Sequence, residues 1–496
     1  MPCTTLLVGK KASFDGSTII ARNEDAFCGQ YTPKRFTVVT PSQQALFYQS
    51  VLSRFTLDLP DNPLRYTCMP NARPDRGIWG ASGVNERNVA MTATETITCN
   101  GRVLSADPLV VRTPPSHDLP ETPGGIGEED MLTLVLPYIS SAREGVTRMA
   151  SLLEELGTCE MNGIAFQDSG EIWWMETIGG HHWIARRIPD ECYAVIPNQM
   201  GIDSFDLSDA FGEQREHMCS RDLIEFIRAG HMNTALDLGH PVINPRRIFG
   251  THSDHDHVYN TPRTWAVQRY FNPNAGPWDE NHPGYSPSSD TLPFLMRAEH
   301  RITIEDLKRV LSDHYEGTPY DPYLQHGDPS RMSSLRPIAV DRTNFLAIIQ
   351  IRPDLPEEIR TLEWIAMACN IFNTLLPMYA NVQKTPVYLS QTPSTPDTAS
   401  FYWASRMIAC LGDYTYPKGR NLIREYQRDV PTLGHALILR ADREFHRQEP
   451  EDACLFCQNV NQEIASMARA KTDQLLNSIL CLGTQAMRCN IQPEDV

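Results

Sequence analysis

The sequence predicts a mixed α+β fold, a four-layer αββα sandwich with a helical C-terminal region, and three observations lead there. Strand-like segments come first as a hairpin, helical segments follow, and strand-like segments return; stacked sheets accommodate that order better than a βαβ repeat. From about residue 400 the apolar spacing turns helical. At 496 residues, with 41% apolar and 21% charged, the chain has the length and composition to bury a large core.

The first strand is "CTTLLVG", rich in β-branched and apolar residues; "KKASFDGS" supplies a turn at Asp15-Gly16, and "TIIARNED" returns. An antiparallel return brings Arg22 to Asp25 back toward Cys3. "GIWGASGVNERNVAMTATETI" repeats the idea, with a turn near Gly83 to Asn85 and the strand "VAMTATETI". Past a Pro/Gly-rich loop, the acidic "GEEDM" precedes "LTLVLPYI", and "SAREGVTRMASLLEELG" places Val146, Met149, Leu152, Leu153 and Leu156 at helical spacing. A four-strand meander is expected next, from "NGIAFQD", "EIWWMETI", "HHWIARRI" and "CYAVIPNQ". Residues 200–300 are loop-rich. "TIEDLKRVLSDHYEG" then reads as a helix capped by Thr303, "FLAIIQIRP" as a strand, and "FYWASRMIACL" and "NQEIASMARAKTDQLLNSILCL" as helices.

A formal charge of −17 without a Lys/Arg run excludes nucleic acid and anionic membrane as expected partners. No apolar stretch approaches the ~18 residues of a membrane span. Lys10 and Lys11 follow the first apolar run and no small-residue cleavage site comes after, so no signal peptide is expected. Thirteen scattered cysteines without export then read as mostly reduced and cytoplasmic. Cys454 and Cys457 of "ACLFCQ" have redox or zinc spacing but no second pair, and read as helix-packing thiols.

Cys3 carries the chemistry. Removal of Met1 and Pro2 would leave one residue holding both a thiol, titrating near ~8.5, and an α-amine near ~7.7–8.0, a nucleophile and its base together. A guanidinium beside it favours the thiolate, and the hairpin supplies Arg22. Asp25 is placed to orient the amine and the arginine or to bind a substrate amine. His181 and His182 in "GGHHW" are adjacent on an expected strand and so diverge to opposite faces, with His181 a candidate for lining a substrate pocket. "HSDHDHVY" gathers His252, His255 and His257 with Asp254 and Asp256, but without the HExxH pattern it reads as a solvated loop rather than a metal site. No GxSxG elbow exists for a serine nucleophile.

The Cys3 strand, its hairpin and the Arg-Asn-x-Asp that follows resemble the N-terminal-nucleophile hydrolases of the bile salt hydrolase and penicillin V acylase group. "CTTLLVGKKASFDGSTIIARNED", "GVNERNVAMTATETI", "GGHHWIARRIPD", "YAVIPNQMGID", "YNTPRTWAVQR" and "IRPDLP" together resemble the cysteine-dependent dipeptidase A family of that superfamily. The resemblance implies that Cys3 is the nucleophile and its freed amine the general base, flanked by Arg22 and Asp25. It implies that Asn198 of "VIPNQ" is a catalytic asparagine, whose amide would donate to an oxyanion, and that Arg263 of "NTPRTW" stabilises charge or binds a carboxylate. Ungapped alignment sets Glu95 where the acylases carry an oxyanion asparagine. Either the register differs there, or Glu95 binds the ammonium group of the substrate.

The resemblance further implies a propeptide, Met1-Pro2, lost when the Cys3 thiol attacks the Pro2 carbonyl; a catalytic domain over 3–400; and a mostly helical region over 401–496. The expected activity is hydrolysis of dipeptides with a free N-terminus, without metal or organic cofactor, by a homo-oligomer. Two alternatives stay open: an N-acyl amide hydrolase of the acylase type, and a non-hydrolytic protein like the related secernins.

Overall fold

A computed structural model describes residues 3–117, 119–233, 240–279, 281–324, 326–416 and 418–487, without the side chains of Thr94 and Glu95. The Met1-Pro2 segment lies outside the described residues. Strand β1 (Cys3–Val8) returns as β2 (Thr18–Asp25), in register from Cys3 opposite Glu24 to Val8 opposite Ile19. The turn is as expected: Gly16 has φ +82°, and the Ser17 N–H donates to Asp15 Oδ1 at 3.2 Å.

The chain continues through β3 (Ser82–Val84), β4 (Ala90–Thr96), α1 (Glu128–Val135), α2 (Ala142–Leu156), β5 (Asn162–Gln167), β6 (Ile172–Ile178), β7 (His182–Arg187), β8 (Tyr193–Ile196) and β9 (His217–Cys219). Then come α3 (Thr261–Phe271), β10 (Leu295–Met296), α4 (Ile304–Val310), β11 (Thr343–Ile351), β12 (Thr361–Met367) and β13 (Leu376–Tyr379). Three long helices close it: α5 (Phe401–Thr415), α6 (Arg420–Gln448) and α7 (Ala453–Gln485).

The strands form two antiparallel sheets. A seven-stranded sheet has the order β10-β8-β1-β2-β11-β12-β13, and a six-stranded sheet the order β9-β7-β6-β5-β4-β3. Alternation along the strands sorts their side chains by face. Leu7, Ile20 and Ile349 of the first sheet share a cluster with Ala165, Trp174 and Ile178 of the second. On the other face of the first sheet, Leu6, Val8 and Ala21 cluster with Val267 of α3, Leu307 of α4 and Ile408 of α5. Beyond the second sheet, Phe166, Trp173 and Met175 meet Leu132 of α1 and Val146 and Met149 of α2. Each such fully buried aliphatic side chain contributes roughly 1.5–3 kcal/mol.

The expected four-strand meander is corrected. Strands β5, β6 and β7 do follow one another in the second sheet, but β8 crosses to the first and pairs with β1, Thr5 opposite Ile196. The crossover is held at Gly9, whose N–H donates to Cys192 O at 2.9 Å; a Cβ there would stand 2.4 Å from Asp190 O. The central strand β1 thereby gains its second neighbour, and the residues after β8 are delivered to Cys3.

Other boundaries shift modestly. The turn between β3 and β4 falls at Asn85–Asn88 rather than at Gly83, with Asn88 at φ +55° and Gly83 inside β3 opposite Met91. Helix α2 starts at its Ser141 cap, which accepts from Glu144 N at 3.1 Å, and stops at Gly157, φ +66°. Thr303 caps α4 as expected, though that helix ends at Val310. Helix α6, within the region expected to be helical, carries Pro431 in its interior, which removes one backbone bond. Helix α7 docks on the edge strand β13, where the Asn461 side chain accepts from Tyr379 N (2.8 Å) and donates to Tyr379 O (3.0 Å), closing an exposed ladder. Cys454 and Cys457 lie in its first turns as free thiols. Among the described residues no helix is long and apolar enough to cross a membrane.

Candidate active site

Cys3 is the first residue of β1, and its side chain faces the second sheet together with Arg22 and Glu24 of β2. Arg22 Nη2 donates to Cys3 Sγ at 3.0 Å and to Glu128 Oε1 at 2.8 Å. Its Nη1 donates to two backbone carbonyls, Ala93 O of β4 (2.6 Å) and Ala81 O (3.2 Å), so one buried guanidinium ties the two sheets together beside the thiol. Ala81 holds that carbonyl in a left-handed conformation, φ +61°, as Trp79 does at φ +50°.

Four buried charges surround the thiol. Glu24 lies 3.6 Å from Arg22 and 2.8 Å from Lys34, while Glu128 takes the other side of Arg22. Two cations thus balance two carboxylates. Burial would pull the Arg22 guanidinium down, but the charges of Cys3, Glu128 and Glu24 outweigh it and hold Arg22 firmly protonated. For Lys34 burial wins over Glu24 and the ammonium is held below its ordinary range.

The backbone nitrogen of Cys3 faces Asn198, just past β8, and donates to its Oδ1 at 3.2 Å. Two neighbours set the orientation of this amide. Arg263 Nη2 donates to the same Oδ1 at 2.8 Å, and Asn198 Nδ2 donates to Thr96 O at 3.0 Å. The acceptor end of Asn198 is therefore turned to the cysteine nitrogen and the donor end to β4, the reverse of what an oxyanion donor at Cys3 requires.

Arg263 sits in the first turn of α3, after Pro262, a residue suited to that position. All five of its donors are engaged. Nη1 donates to Cys3 O, in a short bond, and to Thr4 Oγ1 (2.9 Å); Nη2 serves Asn198 and Asn260 Oδ1 (2.8 Å); Nε serves Tyr259 O (2.9 Å). Arg263 thus grips the backbone of the cysteine. It has no donor left for the substrate carboxylate that the sequence suggested.

Asp25 follows the alternation of β2 to the face opposite Arg22. Its carboxylate accepts from Thr343 Oγ1 at 2.6 Å and pairs closely with Arg336, and among the described residues it does not meet Cys3. It reaches the cluster at one remove: Arg336 and Arg263 lie over the same Tyr259 ring, at 5.1 and 5.4 Å. Glu95 occupies β4 opposite Gly163, with its side chain outside what the structure describes; a bulge between Ala93 and Glu95 breaks the alternation on which its ungapped placement relied.

His181 and His182 do not diverge. The strand begins only at His182, and the turn at Gly179 (φ +61°) swings both rings onto Asp107, Nδ1 to carboxylate distances being 2.8 and 2.7 Å. Burial raises Asp107, but the hydrogen bonds of His182 and His181 outweigh it and hold the carboxyl well below its usual range. These bonds tie His181 to the turn rather than to the Cys3 cluster. His252 and His257 lean on Asp290, at 3.3 and 3.0 Å, and His255 stacks on Tyr259; among the described residues no group of three or more metal-binding side chains converges.

Four participants were missed from sequence, among them Lys34, which no local pattern marks as the partner of Glu24. Glu24 was legible, two residues from Arg22 on one strand face. Asn260 stands one helical turn before Arg263. Glu128 was read only as a charge favouring a helix start, and nothing local distinguishes it from its neighbours Glu129 and Asp130, which are buried in other bonds, Glu129 with Ser50 and Asp130 with Tyr48.

Comparison with known proteins identifies the family. Peptidase family C69 matches residues 2–429. The chain is 54% identical over 447 residues to a dipeptidase of Bifidobacterium longum, covering 90% of this chain and 84% of that one. It is 45% identical over 480 residues to a probable dipeptidase A of Streptococcus pyogenes, 97% of each chain, and 41% identical over 485 residues to dipeptidase A of Lactobacillus helveticus, 96% of each. A family match over most of the chain, with identities of this size over nearly full-length relatives, means that this chain belongs to peptidase family C69.

Proposed function

We propose that the protein is a cysteine dipeptidase of the N-terminal-nucleophile type, hydrolysing dipeptides with a free N-terminus. The observation that carries the reading is the double setting of Cys3: its sulfur under Arg22, its nitrogen on Asn198. The dipeptidase names of relatives aligned over nearly the whole chain support the substrate class. The apolar clusters between and outside the two sheets support an αββα layering of the N-terminal-nucleophile kind.

Loss of Met1-Pro2 turns the Cys3 nitrogen into an amine. Asn198 Oδ1 then accepts one amine proton and aims the lone pair at the thiol, while Arg22 favours the thiolate. The sulfur attacks the peptide carbonyl, the C–N bond breaks, and the leaving amine takes the proton held by the Cys3 amine. Water, deprotonated by the same amine, hydrolyses the thioester and releases the first amino acid. Oxyanion stabilisation falls to backbone N–H groups, because Asn198 presents its acceptor to the cysteine. Arg263 is a positioning residue, and Asp25 acts through Arg336.

Intact mass and N-terminal sequencing, paired with a dipeptide panel for wild type and Cys3→Ser, test this. The expected result is an active chain beginning at Cys3 and a Cys3→Ser variant that has lost turnover. A fully active chain still beginning at Met1 or Pro2 overturns the amine-base mechanism, and preferential turnover of N-acylated amino acids overturns the dipeptide reading.

A further inference from the structure

Away from Cys3, a cavity of about 570 Å³ opens between α3, α4, the loop after α4 and the start of α6. Its volume lies within the ~300–1,000 Å³ common for small-molecule sites. Four guanidinium side chains line it, Arg269, Arg309, Arg420 and Arg424, together with the Lys308 amine, in a chain whose net charge is −17.

The cavity's own carboxylates leave these cations undercompensated. Glu316 serves both Arg420 and Arg424. Asp313 accepts the backbone N–H groups of Tyr315 (2.7 Å) and Glu316 (3.2 Å), and Glu305 is held by His435 at 2.7 Å. Arg269 and Arg309 have no carboxylate partner among the described residues; each guanidinium lies over a ring, Trp265 at 5.2 Å and Tyr270 at 5.6 Å. Lys308 gives its three protons to neutral acceptors, Ser312 Oγ, Asn370 O and Asn373 Oδ1, at 2.6–2.8 Å. Arg269, Lys308 and Arg309 close the last turns of α3 and α4, where a helix favours cations. Arg420 and Arg424 stand at the start of α6, where it does not, so helix dipoles leave this gathering of charge unexplained.

We propose that this cavity is a second binding site, for a small polyanion bearing phosphate or carboxylate groups that engage the unpaired forks of Arg269 and Arg309. Guanidinium groups suit both anions by two-pronged hydrogen bonding. The rings beneath them keep the two forks from folding back onto the protein.

Calorimetric titration of the full-length protein at low ionic strength, with inorganic pyrophosphate and separately with citrate, tests the site. One site per chain is expected, weakened roughly tenfold or more in the Arg269→Gln/Arg309→Gln double variant, which loses two charge-assisted donors. Arg443→Gln, an exposed cation of α6 outside the cavity, should bind as wild type does. Neither Arg269 nor Arg309 touches the Cys3 cluster, so unchanged dipeptide turnover of the double variant reports that it is folded. Binding of pyrophosphate alone assigns the site to phosphates, of citrate alone to carboxylates, and of both to either anion. No binding of either probe, or binding that the double variant leaves intact, overturns the proposal.

Discussion

The Cys3 end of the two sheets and the interior of β12 treat buried charge in opposite ways. Around Cys3, Arg22 and Lys34 stand against Glu24 and Glu128, and the guanidinium stays charged because Glu128 accepts from it at 2.8 Å and Glu24 lies 3.6 Å away. On β12, Glu363 is equally buried, its Oε1 has no hydrogen-bond partner, and burial pushes its carboxyl up to about 8. Lys308 behaves like Glu363 with the sign reversed, its ammonium drawn down to about 7 by burial. Burial drives each of these groups toward neutrality; Arg22, with two carboxylates and the thiol beside it, is held fully charged, whereas Lys34, with Glu24 as its ion-pair partner, is still drawn down. The paired region can therefore stabilise a thiolate, and the lone acid cannot serve as a charged group at neutral pH.

The deepest cut into the paired region is Cys3→Ala, which should lower kcat by on the order of 10⁴ or more while leaving the fold intact, as a dipeptide assay and circular dichroism together would report. Arg22→Met comes next. It takes the buried guanidinium away from Glu128, leaves Glu24 with Lys34 as its cation, and releases the carbonyls of Ala81 and Ala93, so unfolding by urea should show a loss of about 3–5 kcal/mol, along with lost turnover. Glu128→Gln keeps a hydrogen-bond acceptor for Arg22 but removes a charge; about 1–3 kcal/mol of destabilisation and a slower acylation step are expected, against wild-type values if Glu128 is a bystander.

The lone acid gives the contrasting experiment. Folded Glu363 keeps its proton up to about pH 8, whereas the unfolded chain loses it near the ordinary glutamate value of 4.5. The folded state therefore binds the extra proton between those values, and its stability falls as pH rises through that window. Glu363→Gln should remove this fall: urea midpoints of variant and wild type should lie close together at pH 4 and separate in the variant's favour at pH 9. A constant offset at both values would mean that Glu363 is not the proton that folding retains. The smallest effect belongs to Ala81→Gly, which relieves a left-handed backbone at the carbonyl that receives Arg22 and should change stability by about 1 kcal/mol or less, with turnover unchanged.

Local patterns carried much of this molecule. The β1–β2 hairpin, its Asp15-Gly16 turn, the Thr303 cap and the pairing of Cys3 with Arg22 all follow from alternation, turn chemistry and capping, which act over a few residues and are written in neighbouring letters. What needed the folded chain was everything joining distant segments. Strand β8 belongs to the first sheet because β1 offers it a free edge, and only that crossover brings Asn198 to the Cys3 nitrogen. The same packing turns Arg263 into a clamp on the cysteine backbone, sends Asp25 to the far face, and picks Glu128 from three adjacent acids by setting α1 against Arg22. Sequence neighbours share a pattern; the partner that a buried charge finds depends on which surfaces close over it, and that is decided by the packing of the whole chain.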